Sequence, residues 1–196
     1  MNEFSSPSTL IEVGRNFRSF LELSGFGVAL VRRKCMLRRM QNEEKFMLRA
    51  IELARKGMHQ GAGGPFGAVV VRDGTIVGEG WNRVIATNDP TAHGEMTAIR
   101  DACSNLGTFS LDGCEIHTTG QPCPMCLGAI HWARIEKIFY GFRIEDAADI
   151  GFDDSEFFRQ LILPQEQRAI PSQEICRKEA LVLAREYSSL SGKQHY

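Results

Sequence analysis

The chain has 196 residues, 43% hydrophobic and 24% charged, the make-up of one ordinary globular domain with an appendage. It contains no apolar run near the roughly 20 residues that a bilayer crossing needs, which excludes a membrane-spanning protein. The formal charge of −1 hides an asymmetry. Residues 1–40 carry seven Lys and Arg against three Asp and Glu, leaving 16 against 21 in 41–196, an acidic body unsuited to coating a phosphate backbone.

Residues 1–39 read as a flexible extension, or as an upstream-start artefact with the body beginning near Met36 or Met40. Their basic cluster, Arg32 to Arg39, follows the apolar stretch 17–31, whereas a secretory signal places positive charge first. From Glu43 to His59 the residues Phe46, Met47, Ala50, Ile51, Ala54 and Met58 recur at helical spacing. Phe66–Arg72 and Thr75–Trp81 are β-rich runs joined by Asp73-Gly74, a strong hairpin signal. A helix is predicted over His93–Leu106, closed by Gly107, then a strand over Cys114–Thr119 and a helix over Cys123–Ala133. Further predicted elements are a strand over Ile135–Phe142, a helix over Asp154–Leu161, a strand near Ile170–Cys176 and a helix near Lys178–Tyr187. Strands alternating with helices after an opening hairpin predict a three-layer α/β/α sandwich around a mixed five-stranded sheet.

Chemistry concentrates in Thr91-Ala92-His93-Gly94-Glu95 and Pro122-Cys123-Pro124-Met125-Cys126. Cysteines three apart on a helix project from one face, and in a first turn the macrodipole favours thiolate. Two thiolates and an imidazole give Zn²⁺ three ligands and leave one tetrahedral position open, the mark of a catalytic rather than a structural site. Glu95 lies close enough to exchange a proton with water at that position. H-x-E followed by P-C-x-x-C is the signature of zinc deaminases. The plainer readings of the cysteine pair are a redox dithiol, which leaves Glu95 unexplained, and a structural zinc, which leaves it idle. Four other cysteines, Cys35, Cys103, Cys114 and Cys176, are scattered, a pattern suited to a reducing compartment and hence to the cytoplasm.

From Met40 to Tyr196 the chain resembles the bacterial guanine deaminases of the cytidine-deaminase superfamily. The likeness rests on Gly63 to Ala68, Asn88 to His93, Pro122 to Ile130, Gly151-Phe152-Asp153-Asp154 and the terminal Tyr196. The resemblance implies a deaminase domain over 40–196 that hydrolyses guanine to xanthine and ammonia. His93, Cys123 and Cys126 would bind one zinc per subunit, and Glu95 would shuttle protons. Asn82 and Asp154 would hydrogen-bond the purine, Phe66 and Trp132 would wall its pocket, and Tyr196 would close over the base. It also implies a homodimer with exchanged C-terminal segments and a small purine substrate, with no nucleic-acid or membrane partner. Read without the resemblance, Asn82 is a turn former, Asp154 a helix N-cap, and Phe66 and Trp132 core residues. Two positions depart from the family pattern: Gly94 stands where Ala is usual and Gln121 where Glu is common. Rival substrates are guanosine, cytosine and adenosine in tRNA, and the rival outside catalysis is a zinc-stabilised binding domain.

Overall fold

The computed structural model describes residues 41 and 43–195. The extension expected at 1–39 and the terminal Tyr196 lie outside them. Contacts divide the chain into two units, Met1–Glu44 and Lys45–Tyr196, and the sheet and the site belong to the second.

Helix α1 (43–59) is followed by β1 (Gly67–Arg72) and β2 (Thr75–Trp81). The two strands pair antiparallel around Asp73 and Gly74, with φ of 50° and 74°. Two positive φ values in a row make the primed turn whose twist matches a hairpin, which is why Asp-Gly is found there. After a four-residue helix α2 (Val84–Thr87) come α3 (Gly94–Leu106), β3 (Cys114–Gly120), α4 (Pro124–Trp132) and β4 (Lys137–Phe142). Strand β3 runs antiparallel to β1 and parallel to β4, so the sheet is mixed, in the order β2-β1-β3-β4.

The alternation of β1 sorts the core. Val69 and Val71 pack with Phe46 and Leu53 of α1, while Ala68 and Val70 pack with Ala98, Ile99 and Ala102 of α3 and Ile130 of α4. Helices therefore cover both faces, and each fully buried valine contributes about 1.5–3 kcal/mol of hydrophobic stabilisation. On β2, a Cβ at Gly78 would lie 2.5 Å from the Ala102 nitrogen, so α3 lies directly on the strand backbone.

The sheet has four strands where the sequence predicts five. Residues 170–176 form no strand among the described residues: Ile170 and Ile175 are 83% and 73% exposed, and Pro171 cannot donate to a ladder. Beyond β4 the chain instead forms α5 (Ile144–Asp149), α6 (Ser155–Ile162), a 3₁₀ turn (Gln165–Gln167) and α7 (Arg177–Ser189). Neither α6 nor α7 has a buried residue.

Candidate active site

The two chemical motifs meet at the starts of α3 and α4. His93 is the N-cap of α3 and Cys123 the N-cap of α4, where Pro124 takes the first helical position and needs no N–H partner. Cys126 follows in the first turn, fully buried. Because β2 and β3 both run antiparallel to β1, the chain leaves them at the same end of the sheet, and the helices that follow, α3 and α4, start there together. His93 Nδ1 lies 3.6 Å from the Sγ of Cys123 and 3.6 Å from that of Cys126, and all three donor atoms fall within 4.8 Å of one another.

These donors fit a metal ion. A tetrahedral zinc with bonds of about 2.0 Å to nitrogen and 2.3 Å to sulfur holds such atoms about 3.6 Å apart. The electrostatics agree. The Cys123 sulfur is pushed down to about 4, first by the hydrogen bond it accepts from Cys126 and further by its contact with His93. The Cys126 thiol is pushed up by donating that bond and by burial, and the Cys123 sulfur raises His93. A divalent cation resolves this sharing of one proton by letting both sulfurs ionise.

Glu95, in the first turn of α3, is 5% exposed. Burial is the main force pushing its carboxyl above the ordinary carboxylate range, and the charge on Cys123 adds to it. A carboxyl raised in this way holds a proton more readily than an exposed one, as acid–base work requires.

His93, Glu95 and Cys123 share a cavity of about 230 Å³ with Asn82, Asp154 and Phe66. Asn82 follows β2 and is 5% exposed. Its backbone N–H donates to the Phe66 carbonyl at 2.8 Å and its Oδ1 accepts from the Val84 N–H at 3.2 Å. It is thus a turn former and a cavity residue at once. Asp154 occupies the N-cap position of α6 but makes no side-chain cap bond. The adjacent Asp153 instead accepts from the Ser155 N–H at 2.9 Å, which leaves the Asp154 carboxyl to the cavity. Burial, and then the charge on Cys123, push that carboxyl upward.

Trp132 is not brought to this cavity. It is 64% exposed at the end of α4, with the Arg134 guanidinium 5.9 Å from its ring centre. Six residues beyond Cys126, it lies about 9 Å further along the helix and on another face. Val84 and Ile85 line the cavity and were not singled out from sequence; Phe152 and Gln121, named there only within a motif and as a departure from the family pattern, line it too.

Comparison with known proteins defines the class. Residues 40–142 match the model of the cytidine and deoxycytidylate deaminase zinc-binding region, and the chain belongs to that family. Within it, the chain is a homologue of guanine deaminase. It is 48% identical over 155 residues to guanine deaminase of Bacillus subtilis, covering 79% of this chain and 99% of that protein. The X-ray structure of the Bacillus subtilis guanine deaminase matches with a TM-score of 0.75, over 78% of this chain and 98% of that one. A guanine deaminase from Nitrosomonas europaea matches at 31% identity and a TM-score of 0.53, over 74% and 84% of the two chains. A tRNA-specific adenosine deaminase from Aquifex aeolicus is 41% identical over 98 residues, 50% of this chain and 64% of that protein. Among the described residues no helix is long and apolar enough to cross a membrane.

Proposed function

We propose that this protein hydrolyses guanine to xanthine and ammonia, with His93, Cys123 and Cys126 holding one zinc ion per subunit. Zinc bound there supplies Lewis-acid activation of water, lowering its pKa to about 7. The remaining work falls to the side chains. Glu95 would take one proton from the attacking water and pass it to the ring nitrogen beside the carbon that bears the amino group. As the water oxygen bonds to that carbon, Glu95 would take the second proton and deliver it to the amine, which leaves as ammonia when the C–N bond breaks. Asp154, an acceptor when ionised, suits the ring N–H and amino donors of guanine. Asn82 has its Oδ1 committed to Val84, so its NH₂ is the half offered to a purine acceptor. The Phe66 ring forms an apolar wall.

The C-terminal segment supports the further reading of a homodimer that exchanges it. Phe157, Leu161 and Ile162 of α6, with Leu183 and Tyr187 of α7, are 43% to 83% exposed, an apolar surface of the kind that a partner covers. A second cavity of about 720 Å³ adjoins His93, Cys123 and Asp154 and is walled by Phe157 and Leu161. A partner's C-terminus would close it, bringing Tyr196 over the base. The acidic body argues against a tRNA substrate, and the scattered cysteines suit a cytoplasmic enzyme.

The observation that carries the reading is the convergence of His93, Cys123, the buried Glu95 carboxyl, Asn82 and Asp154 on one cavity, with the Cys126 sulfur within 4.8 Å of the other two ligand atoms. Zinc-loaded protein should release ammonia from guanine and much less from guanosine, cytosine or adenine. Release from one of the others in preference to guanine would reassign the substrate, and release from none would remove the catalytic reading.

A further inference from the structure

Asp154 has no side-chain bond that fixes it to its own helix, yet its carboxyl borders the cavity. Something in the preceding loop must hold it there. Gly151, with φ of 93°, turns the chain out of α5. The Phe152 N–H donates to the Ala147 carbonyl at 2.9 Å. Ile150 is 55% exposed and Asp153 is engaged in its own turn with Ser155. The side chain that meets the cavity wall is Phe152, itself 41% exposed, whose ring packs edge to face on Phe66, with centroids 4.9 Å apart and planes at 86°. Such aromatic pairs are worth about 0.5–1.5 kcal/mol beyond the area they bury.

The ring fits because of Gly64. A Cβ there would lie 2.7 Å from Phe152 Cζ and 2.9 Å from Phe66 Cε2, closer than carbon atoms pack. Gly64 does not have a positive φ, so the requirement is space and not backbone conformation. Phe66 is held from its other side by Phe142 at 5.6 Å between centroids, and its carbonyl accepts from Asn82, so it has little room to yield.

We propose that Phe152, seated over the bare backbone of Gly64 and against Phe66, is the positioning residue that holds Asp154 at the cavity, and that Gly64 sets base affinity by leaving room for it. The role toward guanine rests on the function proposed above; the anchoring of the loop does not.

The test compares Phe152→Ala, Phe152→Leu, Gly64→Ala and the double variant Gly64→Ala/Phe152→Leu with the parent protein. Phe152→Ala and Gly64→Ala should each raise the KM for guanine at least tenfold, with kcat changed less than threefold and zinc content unchanged. Phe152→Leu keeps an apolar anchor and should stay within threefold of the parent. Because it removes Cζ, adding it to Gly64→Ala should lower that variant's KM at least threefold. Amide hydrogen exchange reads the anchor without substrate. Protection of the Phe152 and Ser155 amides should fall at least tenfold in Phe152→Ala, with β1 and α3 unchanged. Unchanged KM and unchanged protection in Phe152→Ala would overturn the proposal, as would loss of zinc, which would mean a general collapse of the site. If Phe152→Ala does not fold, the Gly64→Ala pair decides, since absence of rescue by Phe152→Leu refutes the packing. If the parent releases no ammonia from guanine, the substrate reading fails and exchange alone judges the anchor: lost protection sustains it and retained protection ends it.

Discussion

A carboxyl group that is 5% exposed beside two cysteine sulfurs is costly to ionise, and burial pushes Glu95 upward for that reason. Such a group adds nothing to stability, and the proposed function gives it a use as a proton carrier. Glu95→Ala is expected to retain zinc, measured by elemental analysis of the purified protein, while kcat for guanine falls at least 10²-fold, the low end of what positioned acid–base groups supply. Undiminished turnover would remove Glu95 from the mechanism. In the proposed function Asp154 acts on affinity instead. Charged hydrogen bonds are worth about 1.5–3 kcal/mol, so Asp154→Ala should cost roughly 10- to 100-fold in kcat/KM for guanine with zinc content intact. Steady-state kinetics at constant pH check it, and equal kcat/KM would clear Asp154 of a substrate role.

Between elements, α1 is tied to β2 by a two-pronged ion pair: Arg49 Nε and a terminal guanidinium nitrogen donate to the two carboxylate oxygens of Glu79 at 2.8 and 2.7 Å. The Arg49 bond holds Glu79 below its ordinary value of 4.5. A carboxyl depressed in the folded state stabilises the fold above its unfolded pKa, and that contribution is lost as pH falls through the folded pKa. Both side chains are about one-third exposed, so solvent screening limits the contribution to at most about 1 kcal/mol. Urea titrations should therefore find Glu79→Gln less stable than the parent by up to that amount at pH 7, with the gap narrowing below pH 4.5. A gap independent of pH would mean that packing, not charge, joins the elements. The same scale shows what sequence could and could not yield. The hairpin, α3, β3 and α4 were legible because Asp73-Gly74, Gly107 and the alternation of Val69 to Val71 are local signals with local causes. The meeting of His93, Cys123 and Cys126 was legible because they cap or open two helices. Ile170 and Ile175 formed a strand-like run, but a strand exists only with a partner edge, which sequence does not display. Trp132 lies outside the cavity of its own chain, because family likeness names a residue without giving its direction on a helix. Val84 and Ile85 were invisible as cavity residues because only tertiary packing brings them to His93.

The whole molecule leaves its last forty residues poorly satisfied within one chain: α6 and α7 carry apolar side chains that nothing among the described residues covers. An exchanged segment accounts for this and makes a prediction that an ordinary dimer does not. If Tyr196 serves the partner's site while Glu95 serves its own, Glu95→Ala and Tyr196→Ala homodimers each lack one essential group in both sites. Mixed and re-equilibrated, half of the dimers carry one of each subunit. In such a dimer the subunit that keeps Glu95 receives an intact Tyr196 from its partner. One of its two sites is then complete, so about a quarter of parental activity should return. The measurement is ammonia release from guanine before and after the two variants are unfolded and refolded together, with refolding of each alone as the control. If Tyr196 closes over the site of its own chain, every site in the mixture still lacks a group and activity stays at the level of the separate variants. Because the yield depends on subunit statistics alone, a partial return much below a quarter would mean that heterodimers form poorly, which the size-exclusion profile of the mixture with one subunit tagged reads directly.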